Sequence, residues 1–107
     1  MKNLGALMKQ AQAMQAKMAE LQDRLASMEV MGASGGGMVH ATVSGKGEVR
    51  RIKIDPSLVN PGEVEVLEDL VVAAINDARG KAETAAAEQM RELAGGLELP
   101  PGMKLPF

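Results

Sequence analysis

The sequence predicts an α+β fold: a long N-terminal helix, a small antiparallel sheet (a hairpin plus a potential extra strand), and a long C-terminal helix. Three observations carry that reading. Leu4, Leu7, Ala11, Met14, Met18, Leu21, Leu25 and Met28 recur in alternating steps of three and four, the period that gives a helix one narrow apolar seam. Met38 to Ser44 alternates apolar and polar residues, and the turn signal Gly45-Lys46-Gly47 leads into a second strand at Glu48–Ile54, as in a half-buried hairpin. After Asn60-Pro61-Gly62-Glu63 the apolar residues crowd together again without strand alternation, behind a capping residue and an early proline.

The first helix is expected from about Asn3, as N-cap, to about Met28. At 1.5 Å per residue it would be roughly 40 Å long, against a radius of gyration of about 13 Å for a compact chain of this length. It should therefore project beyond its own domain, and its seam then needs a partner. Ser27–Met31 fits either the end of this helix or a first strand. Gly32-Ala33-Ser34-Gly35-Gly36-Gly37 reads as a loop too poor in side chains to pack.

For the hairpin, a loop of Lys46 and Gly47 sets Val39 opposite Ile54, Ala41 opposite Ile52, and Val43 opposite Arg50. That register gathers the apolar residues on one face and leaves His40, Thr42, Arg51 and Lys53 on the other. Asp55-Pro56 stops the strand in a short helical turn. Asn60 and Glu63 form the expected capping box of the second helix. Glu63, Glu65, Glu68 and Asp69 crowd its positive end. Its apolar first half (Val64, Val66, Leu67, Leu70, Val71, Val72, Ile75) is expected over the hairpin, before an Ala-rich, charged stretch from Asn76 to Leu93. Residues 1–94 read as one domain and 95–107 as a Gly/Pro-rich flexible tail.

Composition narrows the functional classes. Phe107 is the one aromatic residue in 107, and there is no Trp, Tyr or Cys. The core must be built from Val, Ile, Leu, Met and Ala, and so thin a core favours a dimer. Disulfides and thiolate metal sites are excluded. The N-terminus lacks the apolar run of a signal peptide, and nowhere do about 18 apolar residues run together, so a cytoplasmic protein with no membrane partner is expected. One His and no Cys cannot make a nucleophile–base set. His40 alone is no metal site, and the Gly-rich loop lacks the Lys-Ser/Thr that completes a nucleotide-binding loop. No enzyme activity, cofactor, metal or small-molecule substrate is expected.

Charge is unevenly spread. Net charge is −2, yet residues 1–53 carry eight basic and four acidic side chains, and residues 54–107 carry four basic and ten acidic ones. The first acid is Glu20, so Lys2, Lys9 and Lys17 precede every carboxylate. With Arg24 they recur at steps of seven, eight and seven and share one side of the helix. Such a row fits either phosphate contact, which is sequence-independent and salt-sensitive, or an ordinary solvated face opposite the seam. Lys46, Arg50, Arg51 and Lys53 form a second basic group, suited to phosphates or to blunting a sheet edge. The methionine-containing seam (Leu4, Leu7, Met14, Met18, Leu21, Leu25, Met28) reads as helix packing or a dimer contact. Without Trp or Tyr there is no stacking platform for unpaired bases, which favours duplex over single strands.

Taken in order, these segments resemble the YbaB/EbfC family of bacterial nucleoid-associated proteins. The resemblance rests on the Gln/Met-rich first helix, the Gly-rich loop into Val39, and Ile52-Lys53-Ile54-Asp55-Pro56. It continues in Leu67-Glu68-Asp69-Leu70-Val71, Ala74-Ile75-Asn76-Asp77-Ala78, Lys81-Ala82 and the Gly-rich close. It implies a tweezer-like homodimer that binds double-stranded DNA through basic residues on projecting helices. Altered DNA shape, a place in the nucleoid and an influence on gene expression follow from it. One departure stands out: the second helix carries eight acids against Arg79, Lys81 and Arg91, which counts against it as a DNA surface. The competing reading is a helical interaction scaffold, or chaperone-like dimer, whose seam grips another protein.

Overall fold

The computed structural model describes residues 3–95. Lys2 and all but the first residue of the expected tail lie outside them. Helix α1 spans Leu4–Ser27, strands β1 (Glu29–Ser34), β2 (Val39–Ser44) and β3 (Val49–Ile54) follow, and helix α2 spans Val64–Gly95. The strands form one antiparallel sheet in the order β1-β2-β3. Short 3₁₀ turns lie at Gly35–Gly37, Pro56–Leu58 and Pro61–Glu63. The Cα radius of gyration is 20.0 Å and the longest extent 73 Å, well above the ~13 Å of a compact chain of this size. The 24-residue α1 and the 32-residue α2 both extend the molecule.

The hairpin turn and β3 hold the C-terminal end of α1. Leu25 O accepts the Gly45 N–H at 2.8 Å, and Ala26 O accepts Arg50 Nη2 at 2.9 Å. Both bonds satisfy carbonyls that the end of a helix leaves unpaired. Leu21 and Leu25, the last seam residues but one, are buried, whereas Leu4 and Leu7 are 60% and 59% exposed. The seam is thus two surfaces, packed at its sheet end and bare toward its tip.

The structure corrects three expectations. Gly32, Ala33 and Ser34 belong to β1, not to a loop, and pair with Ala41, His40 and Val39. A strand of small residues forms there because α2 lies directly on it. A Cβ on Gly32 would stand 2.2 Å from the Ala78 nitrogen and 2.6 Å from its Cα, so only glycine allows the approach. Val43 pairs with Val49 rather than Arg50, because a register shift after Thr42 and Arg51 leaves Arg50 as an extra residue. The remaining register is as expected: Val39 with Ile54, Ala41 with Ile52, His40 with Lys53 and Thr42 with Arg51. At the start of α2 no reciprocal capping box forms. Asn60 Oδ1 accepts the Gly62 N–H at 3.0 Å, and Pro61–Glu63 is a 3₁₀ turn ahead of the helix. The Asp55 carboxylate caps the Pro56–Leu58 turn through the Ser57 N–H, as expected.

The core joins Val39, Ala41 and Val43 of β2 to Ala74, Ala78 and Ala82 of α2, all at most 1% exposed. Three alanines four residues apart share a helix face and let the helix axis sit close to the sheet. Hence the Ala-rich stretch, not the Val/Leu-rich first half, supplies most of the fully buried face of α2. Helix α2 runs over β1 and β2 and leaves β3 largely uncovered, so it covers one strand of the hairpin and the strand before it. Along the exposed edge of β1, the Asp77 carboxylate accepts the Ala33 N–H at 3.0 Å and Leu70 O accepts the Ser34 hydroxyl. These bonds occupy polar groups that an edge strand otherwise offers to other chains.

Candidate nucleic-acid interface

The basic row of α1 can now be placed. At 100° per residue, Lys9, Lys17 and Arg24 fall within an arc of about 80°, roughly 120° from the centre of the seam. All three are exposed, but they are not equivalent. Arg24 is engaged: Nη1 donates to Gln89 Oε1 of α2 at 3.0 Å, and Nη2 lies 3.4 Å from Glu20 Oε1. Lys17 stands at the mouth of a groove shared with Glu20, Leu21, Arg24, Gln89 and Leu93. Lys9 lies on the bare stretch beyond the end of α2. Among the described residues, neither Lys9 nor Lys17 is in an ion pair.

The second basic group divides in the same way. Arg51 and Lys53 are exposed on the sheet face turned away from α2, where they oppose Thr42 and His40. Arg50 instead reaches back to the end of α1 through its bond to Ala26 O. A cation there suits the negative end of a helix dipole, which makes Arg50 a structural contact. Lys46 is exposed at the hairpin turn, beside Arg79 of α2, whose Nε donates to Gly47 O at 3.1 Å. This pairing of Lys46 and Arg79 was not legible in the sequence. Thirty-three residues separate them, and only the seat of α2 on the sheet brings them together.

The acidic helix keeps its charges outward. Glu65, Glu68, Asp69, Glu83 and Glu88 are all exposed. Asp77 is the exception, held by the Ala33 N–H and by Lys81 Nζ at 3.0 Å. Those contacts, the Ala33 bond foremost, lower its pKa below the ordinary aspartate value. The Ser57 N–H lowers that of Asp55 in the same direction. Among the described residues no group of three or more His, Cys, Asp or Glu is placed to hold a metal ion. No described helix is long and apolar enough to cross a membrane.

Fold and site together define a class: a small helix–sheet–helix protein with exposed cations on a projecting arm (Lys9, Lys17) and on the uncovered sheet face (Arg51, Lys53). The model of the YbaB/EbfC DNA-binding family matches residues 1–97. A nucleoid-associated protein of Paramagnetospirillum magneticum is 64% identical over 107 residues, the whole of both chains. One of Granulibacter bethesdensis is 60% identical over the same span. The crystal structure of an uncharacterized protein of Helicobacter pylori is similar with a TM-score of 0.63 and 27% identity, over 89% of this chain and 92% of that one. The chain belongs to the YbaB/EbfC DNA-binding family, and nucleoid-associated proteins are its relatives.

Proposed function

We propose that this protein binds double-stranded DNA as a homodimer in the bacterial nucleoid, without catalysis, and changes the shape of the DNA it holds. The observation that carries the reading is the outward face of α1. Lys9 and Lys17 stand exposed on the arm, outside any ion pair among the described residues. Phosphate neutralisation by such residues releases counterions and is indifferent to sequence. Sequence preference then comes from how easily a site deforms.

The uncovered half of the sheet supports the homodimer. On β3 and the turn after it, Val49 is exposed and Ile52, Ile54 and Leu58 are only half-buried around the core. A second copy seated on this flank would complete the apolar layer that α2 leaves open. It would also set two arms apart on one body, able to bridge or bend a duplex.

The test is binding of labelled duplex DNA across a salt series, with a Lys9→Ala/Lys17→Ala variant beside wild type. Each lost phosphate contact should flatten the log–log salt slope by about 0.9. Arg24→Ala should flatten it less, because that guanidinium is already held by Gln89 and Glu20. No binding by wild type at low salt would end the DNA reading. Equal slopes for wild type and the double variant would remove the arm from it. The bare end of the seam would then point to a protein partner.

A further inference from the structure

The turn between β2 and β3 is a rigid mount for one cation. Leu25 O of α1 accepts the Gly45 N–H, and Ser44 O accepts that of Gly47. Ser44, fully buried, accepts the N–H groups of Lys46 and Glu48 through its hydroxyl, each at 3.2 Å. With these backbone donors used, the turn can meet an anion only through a side chain. Gly45 and Gly47 have none, and the fold requires both. A Cβ on Gly45 would stand 2.8 Å from Leu25 O, and Gly47 has a φ of +87°. Lys46 stands exposed between them.

Helix α2 brings a second cation to this turn. Arg79 is exposed, and the bond from its Nε to Gly47 O fixes the guanidinium in place. Among the described residues its terminal nitrogens have no hydrogen-bond partner, and neither Lys46 nor Arg79 is in an ion pair. Beside them runs a groove of about 280 Å³ floored by Ala82 and Ala86, with Glu83 the one acid lining it. So small a floor leaves room for a phosphate backbone. A fixed guanidinium presents its fork of N–H donors to phosphate oxygens.

The groove also continues the basic row of α1. Arg79, Ala82, Glu83, Ala86, Gln89 and Leu93 fall within an arc of about 120° on α2. Gln89 and Leu93 line the groove that holds Lys17 and Arg24, and the Arg24–Gln89 bond fixes the register of the two antiparallel helices. From that bond Arg79 lies ten residues back along α2, about 15 Å. Lys9 lies fifteen residues back along α1, about 22 Å in the opposite direction. The row covers about 37 Å, close to the roughly 34–36 Å of one turn of B-DNA. A duplex presents the same strand to one side once per turn, so a straight row of this length meets it at both ends.

We propose that Lys46 and Arg79 form a second contact point for the phosphate backbone of duplex DNA, one duplex turn from Lys9, and that Glu83 tempers its attraction. The site rests on the DNA-binding reading and extends it from the arm to the arm's base.

Titration of labelled duplex DNA with the full-length protein over a salt series tests it. Lys46→Ala removes a side chain that has no partner among the described residues, and should flatten the log–log salt slope by about 0.9. Added to Lys9→Ala/Lys17→Ala, it should flatten the slope by the same amount again. Glu83→Gln should tighten binding about twofold at 0.1 M salt, the effect of removing a charge about 6 Å from a phosphate. A misfolded protein cannot give that gain. Glu65→Gln makes the same change in net charge about 27 Å away along α2, well beyond the Debye length of about 10 Å, and should leave affinity unchanged. If wild type binds and Lys46→Ala keeps its slope, the site is refuted while the DNA reading stands. Equal gains from Glu83→Gln and Glu65→Gln would also refute it, as an effect of net charge alone. No binding by wild type would overturn the DNA reading and this site with it.

Discussion

Gly32 marks the closest approach of α2 to the sheet, and Gly32→Ala puts that approach under load. The added Cβ would stand 2.2 Å from Ala78 N, 2.6 Å from Ala78 Cα and 2.8 Å from Ala74 O. All three neighbours are backbone, so no side chain can rotate away. To restore ordinary contact the helix must retreat by roughly 1 Å, and a gap of that size forfeits about a quarter to a half of the dispersion attraction across it. The surface that opens is the one joining Ala74, Ala78 and Ala82 to Val39, Ala41 and Val43. Overpacking of this kind costs about 1–3 kcal/mol, and the rigid neighbours place Gly32→Ala at the upper end. The stiffer unfolded chain returns about 0.4–1 kcal/mol. A net loss of about 2 kcal/mol should lower the melting temperature by roughly 8–16 °C in a domain of this size. Thermal melts followed by far-UV circular dichroism at one fixed protein concentration measure it. Gly5→Ala is the matched control, since its Cβ meets nothing within 4 Å and should stabilise α1 by up to about 1 kcal/mol. A Gly32→Ala protein melting within about 3 °C of wild type would refute the close-approach argument.

Two further outcomes are expected. The lowered pKa of Asp77 contributes stability that is fully present above the ordinary aspartate pKa and is lost as pH falls through the lower folded value. The gap in denaturation midpoint between wild type and Asp77→Asn should therefore be widest above about pH 5 and close in stronger acid; a gap independent of pH would show that the charge is immaterial. Ile52→Asp, placed on the uncovered flank of β3, should convert a homodimer to monomer with its circular dichroism spectrum retained. Light scattering on the eluting peak reads the mass, and an undiminished dimer mass would move the interface elsewhere.

The sequence by itself determined the two long helices and most of the β2–β3 pairing. The unbroken three–four spacing from Leu4 to Met28 requires one long helix with one seam. The alternation in Val39–Ser44 and Ile52–Ile54 sets the hairpin register over most of its length, because a one-residue slip would turn every apolar side chain to water. The acid-free start likewise exposed the basic arm. Only the tertiary structure decided which of these parts work together. Gly32, Ala33 and Ser34 carry no apolar side chain large enough to mark a strand, and they form one because α2 approaches too closely for anything bulkier. Arg24 and Arg50 look like Lys9 and Lys17 in the chain, yet Gln89, Glu20 and the carbonyl of Ala26 engage them. Lys46 and Arg79 come to line one groove, and β3 is left open, through the seat of α2 on β1 and β2. Local periodicity is fixed by covalent geometry and burial along a segment. Partnership between distant charges depends on where rigid elements finally pack, and no single segment encodes that.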